Sequence, residues 1–325
     1  MSIQPQEPKK RNTGGKKEKK TYKVRNWHDY NEALVKRGSL DVWISDEAMK
    51  GWYAEPTGEP GAQPIYSDLA ISTVLTMQKV FDLPLRATEG FVGSVFRMTN
   101  TDLVVPDFST LSRRGDGLTV ILTKRRKEKT ILIVDGSGAK VFGEGEWKVR
   151  QHGYSKRRTW KKIHIAIDED GEIRAVEMTG NDTHDSEVVK DLFSQEESEI
   201  EAFAGDGAFD TNAVYDTCQD RNISRILIPP RHGAKIWQHG NRHTDPHPRD
   251  ENLREIRKKG RKRWKIESGY HIRSGVENTF FRWKTIFGEY LRSRAEARQR
   301  SEVRIIASAL NRMFSLGMPD SYAVA

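Results

Sequence analysis

Four residues in the last quarter of the chain, Tyr270, Arg273, Glu277 and Lys284, have types and spacings that could do chemistry on a phosphate. At about 100° per residue they share a stripe roughly 60° wide on one helix, so a carboxylate, two cations and a phenol look out on the same side. Such a mixture makes a poor core face. It suits a metal-bridged phosphate, the acid holding a cation and the bases holding the backbone. Two further acids stand where apolar strands are expected to end, Asp135 after Ile131-Leu132-Ile133-Val134 and Asp206 after Phe203-Ala204-Gly205. Phosphodiester cleavage by two divalent cations needs several carboxylates converging on a small volume, and Asp135, Asp206 and Glu277 are the candidates. Mg²⁺ suits these oxygen donors, with Mn²⁺ as a substitute and two ions to a site.

Elements from different parts of the chain must bring these acids together. Period-two patterns predict strands at 130–135, 159–167 and 172–179, the last two joined by the turn Asp168-Glu169-Asp170-Gly171. A helix is expected after Asp185 and Ser186, a strand at 201–205, a helix at 211–221, a strand at 224–228, and one helix from Tyr270 to Lys284. Three antiparallel-capable strands followed by helix, strand, helix, strand and helix is the order of an α/β, ribonuclease-H-like fold, a mixed sheet flanked by helices. If its first and fourth strands are neighbours, Asp135 and Asp206 meet. Gly136, Gly205 and Gly207 would then let backbone or substrate approach closely. Asp168, Asp170, Asp182 and Asp210 read as ordinary turn formers.

Ahead of this catalytic domain, assigned to 126–300, the pattern is helical over 27–125. Ser67 is a good N-cap for a first helix, a second follows Pro84, and a third begins near Pro106, with Ser109 or Thr110 as cap and Arg113 and Arg114 in its opening turns. Over about 66–120 this suggests a helix-turn-helix whose last helix enters a DNA groove, though any small helical bundle would share the spacing. Residues 301–325 form a C-terminal helix and tail.

The chain of 325 residues carries a net charge of +9, and that charge is concentrated. Residues 1–26 hold nine Lys and Arg against two acids, and 229–265 hold twelve against four, which leaves the rest slightly acidic. Two basic segments beside a near-neutral body form the footprint of a partner polyanion, most simply double-stranded DNA. Residues 1–26 are too poor in apolar groups to order themselves and read as a disordered tail, while 229–265 reads as a basic insertion. The single cysteine, Cys218, cannot form an internal disulfide, and no apolar run reaches the roughly 18–20 residues of a membrane span. The expected setting is therefore the cytoplasm, beside the nucleoid, with no membrane partner.

Several segments together resemble one family. Asp135-Gly-Ser-Gly138, Gly143-Glu-Gly-Glu-Trp-Lys-Val-Arg-Gln-His-Gly153, Gly205-Asp-Gly-Ala-Phe-Asp-Thr211 and the Tyr270 to Lys284 signature look like bacterial insertion-sequence transposases of the DDE type, insertion sequence family five. Val105-Pro-Asp-Phe-Ser-Thr-Leu-Ser-Arg-Arg114 and Ser155-Lys-Arg-Arg-Thr-Trp-Lys-Lys162 are similar to it as well. The resemblance spans roughly residues 25–310, with the motifs in the family's order. It implies an enzyme that binds the terminal inverted repeats of its own element, frees 3′-hydroxyls at the ends and joins them to target DNA, acting as a dimer or higher assembly. Asp135, Asp206 and Glu277 would be the metal-binding triad, and Tyr270, Arg273 and Lys284 would hold DNA backbone near the cut. The chain departs from the family at Gly136, Ser137 and Ala139, where Ser, Thr and Leu are frequent, and at Phe209, where Tyr is common. Two rival readings stay open: a ribonuclease-H-like nuclease that cuts without joining, and a non-catalytic DNA-binding descendant.

Other constellations are less specific. Arg157, Arg158, Lys161 and Lys162 flank Trp160 and could follow a phosphate backbone, or could simply be a solvated strand edge. His239, His243 and His247 have helical spacing suited to zinc, but Gly240, Pro246 and Pro248 argue against the helix. His184-Asp185-Ser186 reads as a helix cap, and Trp283 as either a base-stacking or a core residue.

Overall fold

The computed structural model describes residues 21–141, 160–238 and 246–324, with Thr57, Glu59 and Ala62 excepted. A helical unit comes first: α1 (Trp27–Lys36), α2 (Leu40–Trp43), α3 (Asp46–Lys50), α4 (Asp68–Val80), α5 (Leu85–Met98) and α6 (Phe108–Arg114). Helix α4 starts where predicted, the Ser67 hydroxyl accepting from the Ala70 amide at 3.1 Å. Helix α6 is capped differently from expectation. Asp107 accepts from the Ser109 and Thr110 amides and from both hydroxyls, and these bonds hold its carboxyl far below the usual range. A carboxylate with four donors outcompetes a hydroxyl as cap.

The sheet that follows is built from β2 (Lys129–Val141), β3 (Trp160–Ile167), β4 (Ile173–Gly180), β5 (Glu199–Ala204), β6 (Arg225–Leu227) and β7 (Tyr290–Leu291). Its order is β4-β3-β2-β5-β6, antiparallel from β4 to β2 and parallel onward, with β7 also paired to β2. This is the mixed sheet expected of a ribonuclease-H-like domain. Helices α7 (Val189–Ser194) and α8 (Asn212–Asp220) cover one face, and α9 (Pro248–Lys259), α10 (Arg261–Glu267), α11 (Ser274–Phe287) and α12 (Glu296–Leu316) contribute to the core on the other. Alternation along β2 divides the cores: Leu132 and Val134 pack with Val189, Phe193 and Tyr215, while Ile133 packs with Val276, Phe280 and Leu310. Each fully buried aliphatic chain contributes about 1.5–3 kcal/mol, so a one-residue slip of β2 would be prohibitive.

Helix α12 also serves the helical unit. Its Val303, Ile306 and Leu310 lie in the sheet core, while Ile305, Ala309 and Met313 complete the core around Ile71, Val74 and Phe96. This helix begins at Glu296 and runs across the domain edge expected at residue 301. Within the segment 1–26 expected to be a disordered tail, Thr21–Val24 form β1, which pairs antiparallel with β8 (Ser321–Val324). Residues 1–20 of that tail lie outside the described residues.

Candidate active site

Asp135 does not end its strand. Strand β2 continues to Val141, and Asp135 pairs with Ile165 of β3. On the opposite edge of β2, β5 pairs only as far as Ile133 and β7 begins only at Lys140. Asp135 therefore sits where that edge has no strand partner among the described residues. Asp206 lies two residues past the end of β5, as the cap of a 3-10 turn, its Oδ1 accepting from the Ala208 amide at 2.7 Å. The glycine before it has a packing reason: a Cβ on Gly205 would lie 2.7 Å from the Phe209 ring. The departure Phe209 is thus a fully buried core residue.

The helix predicted from Tyr270 to Lys284 is two elements. Gly269, at φ 75°, turns the chain into a 3-10 segment over Tyr270–Arg273, and α11 starts only at Ser274. The consequence for the stripe is uneven. Tyr270 is 8% exposed and packs against Trp264, with burial pushing its hydroxyl upward in pKa, while Arg273 and Glu277 remain one turn apart. Lys284 lies two turns beyond Glu277, at a small surface hollow beside Ser137 and Gly138.

These elements bring the three predicted acids to one guanidinium. Arg273 Nη2 stands 3.5 Å from Asp135 Oδ2 and 4.0 Å from Asp206 Oδ2, and its Nη1 donates to Glu277 Oε1. Asp135 is the most enclosed, with 19% of its side chain exposed against 40% and 59% for the others. Burial raises the Asp135 pKa, and Arg273 and the Gly136 amide only partly offset this. The Arg273 pKa is raised: burial opposes its charge, but the surrounding carboxylates prevail.

The side chains present also show whether a divalent cation suits this place. All three donors are carboxylate oxygens, the type that Mg²⁺ takes. Among the described residues, no three acid, His or Cys side chains are already close enough to hold a metal alone. Arg273 occupies the positive position between them, yet its Nε is buried without an acceptor. The set fits a hard cation in donor type and charge, with the guanidinium standing where positive charge is needed.

Two family models, both described as "Transposase DDE domain", match this chain, one over residues 35–144 and one over 126–314. The second covers more than half of the sequence and contains all three acids. The chain belongs to the DDE transposase family. It is accordingly a polynucleotidyl transferase and endonuclease of DNA transposition, and insertion sequence family five fits the first match. Helices α2 to α6 of the helical unit lie in the region that this first match covers, together with Asp135.

Other predicted positions of the transposase fall as follows. Arg113 is exposed on α6, donating to Thr110 Oγ1 at 3.2 Å, while Arg114 ties α6 to the start of α4 through the Tyr66 carbonyl and Asp68. Arg157 and Arg158, the 143–153 motif, His239 and His243 lie outside the described residues. His247 caps α9 (Pro248–Lys259) through Nδ1, at 3.2 Å from the Arg249 amide. His184 caps the 3-10 turn Asp185–Val188, and Trp283 is a core residue.

Sequence reasoning missed two polar clusters that abut the site. Asp210, read as a turn former, forms a buried pair with Arg249, 2.7 Å from Nε to Oδ1, which ties the basic segment to the loop carrying Asp206. Behind Asp135, a Cβ on Gly136 would meet Asp185 Oδ1 at 3.1 Å and His164 Nδ1 at 3.2 Å, so these two groups abut the catalytic strand. His164 is fully buried, and burial lowers its pKa. The pairing of His164 with Gly136 depends on β2 continuing past Asp135, and the expected strand end concealed it.

Proposed function

We propose that this transposase binds the terminal inverted repeats of its own element, cleaves at the ends and joins the freed 3′-hydroxyls to target DNA at Asp135, Asp206 and Glu277. The observation that carries the reading is the meeting of these three acids, from three separate elements, around one guanidinium within 4.0 Å. In the first step water attacks the scissile phosphorus and the bond to the 3′-oxygen breaks, leaving a 3′-hydroxyl and a 5′-phosphate. In the second, that hydroxyl attacks phosphorus in the target strand and displaces its 3′-oxygen. Both steps gather negative charge on phosphoryl oxygens; Arg273, beside all three acids, would receive it, while Lys284, two turns along the helix, would hold the flanking backbone. Asp135 works as the carboxylate, and its buried setting makes ionisation the acid-side limit on rate. Tyr270, fixed in the core, anchors the short turn that aims Arg273.

Asp135, Asp206 and Glu277 would hold two Mg²⁺ ions, which supply Lewis acidity and an activated oxygen when bound. Two element ends must be handled together, so the working form on DNA is a dimer or higher assembly. No helix among the described residues is long and apolar enough to cross a membrane, and the proposed setting is the bacterial cytoplasm beside the nucleoid.

The test uses a duplex carrying the element's end and a supercoiled target plasmid, with Mg²⁺ or with EDTA, for the wild type and Glu277→Gln. Metal-dependent joined products that vanish in the variant are the expected result. Nicks without joining would favour a simple nuclease, and binding without any cut would overturn the catalytic reading.

A further inference from the structure

The seam between the helical unit and α12 carries a set of arginines that the catalytic chemistry does not use. Leaving β7, the chain passes Arg292, Arg294 and Arg298, which line a cleft of about 560 Å³ against α4, α5 and α6. The one acid in its lining, Glu302, is already engaged: it pairs with Lys79 at 2.6 Å and accepts from the Arg292 and Ser293 amides. Arg294 therefore leaves the cleft positive, and Arg292 and Arg298 add to it once they exchange Asp82 and Asp116 for another anion. Arg298 bonds Ser112 and Asp116, and Arg292 pairs with Asp82, in associations largely open to solvent. The Arg294 side chain is exposed and has no hydrogen bond or ion pair among the described residues, while its carbonyl accepts from the Gln299 side-chain amide at 3.4 Å.

The cleft continues into a second one of about 430 Å³, with Pro84, Leu85 and Ser112 lining both. There Arg113 stands beside Arg86, whose guanidinium lies 4.4 Å from the centre of the Phe108 ring. Five arginines thus line two adjoining hollows, longer together than a single phosphate needs. A row of cations in an open trough matches a nucleic-acid backbone, which offers a charge about every 1.7 Å along a duplex. Exposed ion pairs such as Arg292 with Asp82 are weak and exchange readily for phosphate.

The place of this trough relative to the carboxylates is set by α11. From Glu277 to Phe287 the helix rises roughly 15 Å, with Lys284 on the way, and β7 then delivers Arg292. We infer that the seam is a backbone track for the same duplex whose strand is cut at Asp135, Asp206 and Glu277, engaging it about half a helical turn to one turn from the cut. The inference rests on the proposed function for its partner, double-stranded DNA.

Anisotropy of a fluorescent duplex carrying the element's end, without metal and between about 50 and 200 mM salt, tests it. Arg294→Gln should reduce the slope of log affinity against log salt by about one, which corresponds to roughly eightfold weaker binding at 0.1 M. Arg292→Gln/Arg294→Gln should reduce it by about two, Arg294→Lys should restore most of the slope, and the melting temperature of Arg294→Gln should not move. An unchanged slope in both glutamine variants would overturn the track. Cleavage of the same duplex by wild type in Mg²⁺ is scored separately, so catalysis can fail while the track stands. A wild-type chain that binds no duplex would overturn both.

Discussion

Replacing Arg273 by glutamine removes the charge around which the three carboxylates are gathered. At about 4 Å and an effective dielectric near 20, each pair is worth roughly 4 kcal/mol before solvation is counted. Asp206 and Glu277 are more than a third exposed, so their attraction shrinks to about 0–1 kcal/mol each. Asp135 is mostly enclosed, and losing its partner costs more, limited by its ability to take up a proton. A net loss of about 2 kcal/mol without metal follows, or roughly 4 °C in Tm for a chain of this size. The same coupling predicts the opposite sign for cations. Three acids without their guanidinium should bind Mg²⁺ about 30-fold more tightly, at 1.4 kcal/mol per tenfold. Calorimetric titration with Mg²⁺ and melting curves with and without it, both free of DNA, measure the two effects. Cleavage should fall even as metal binding tightens, because the phosphate loses its cation. A variant with wild-type Tm and wild-type Mg²⁺ affinity would refute the idea that Arg273 holds the place of a cation.

Three further outcomes follow from the geometry. Because burial raises the folded-state pKa of Asp135, its ionised form is a penalty that is full above that pKa and disappears at low pH. Asp135→Asn should therefore abolish cleavage yet raise Tm by about 2 °C at neutral pH, as about 1 kcal/mol would, with the gain fading on acidification. Gly136→Ala forces a methyl against Asp185 and His164, so cleavage should drop at least tenfold with duplex affinity retained, as a gel assay of nicked plasmid would show. In the basic segment, Lys259 is paired with Glu255 and Glu267, and Arg261 is bonded to the Pro230 carbonyl, while Lys258 and Lys262 are exposed. Neutralising Lys258 and Lys262 should flatten the salt dependence of duplex binding by up to about two, and an unchanged slope would remove this face from the DNA path.

Much of the catalytic sheet was legible because its strands are dense in β-branched residues and its turns have local chemistry. Asp168 is an example: it bends the hairpin by accepting from the Asp170 and Glu172 amides, which spacing alone suggests. The triad was legible as residue types, but its arrangement was not. Gly136, Ser137 and Gly138 have poor strand propensity, which predicts that β2 stops at Asp135; pairing with β3 carries it on. The helical stripe from Tyr270 ignored Gly269, whose left-handed backbone starts a tighter turn. The pairing of β1 with β8 and that of Asp210 with Arg249 join residues far apart in sequence, where no local pattern signals a partner.

The division of α12 between two cores has a consequence for the order of events during synthesis. The helical unit lacks Ile305, Ala309 and Met313 until the ribosome has made roughly 200 residues beyond α6, about 10–40 s at ordinary translation rates. Until then its apolar interior has an open side, and the arginines of the α12 seam do not yet exist. A nascent chain therefore cannot present the finished seam to DNA before its catalytic sheet has been made. If the seam is the backbone track inferred above, DNA engagement there and cutting capacity mature together, and a truncated product ending within the sheet would lack both.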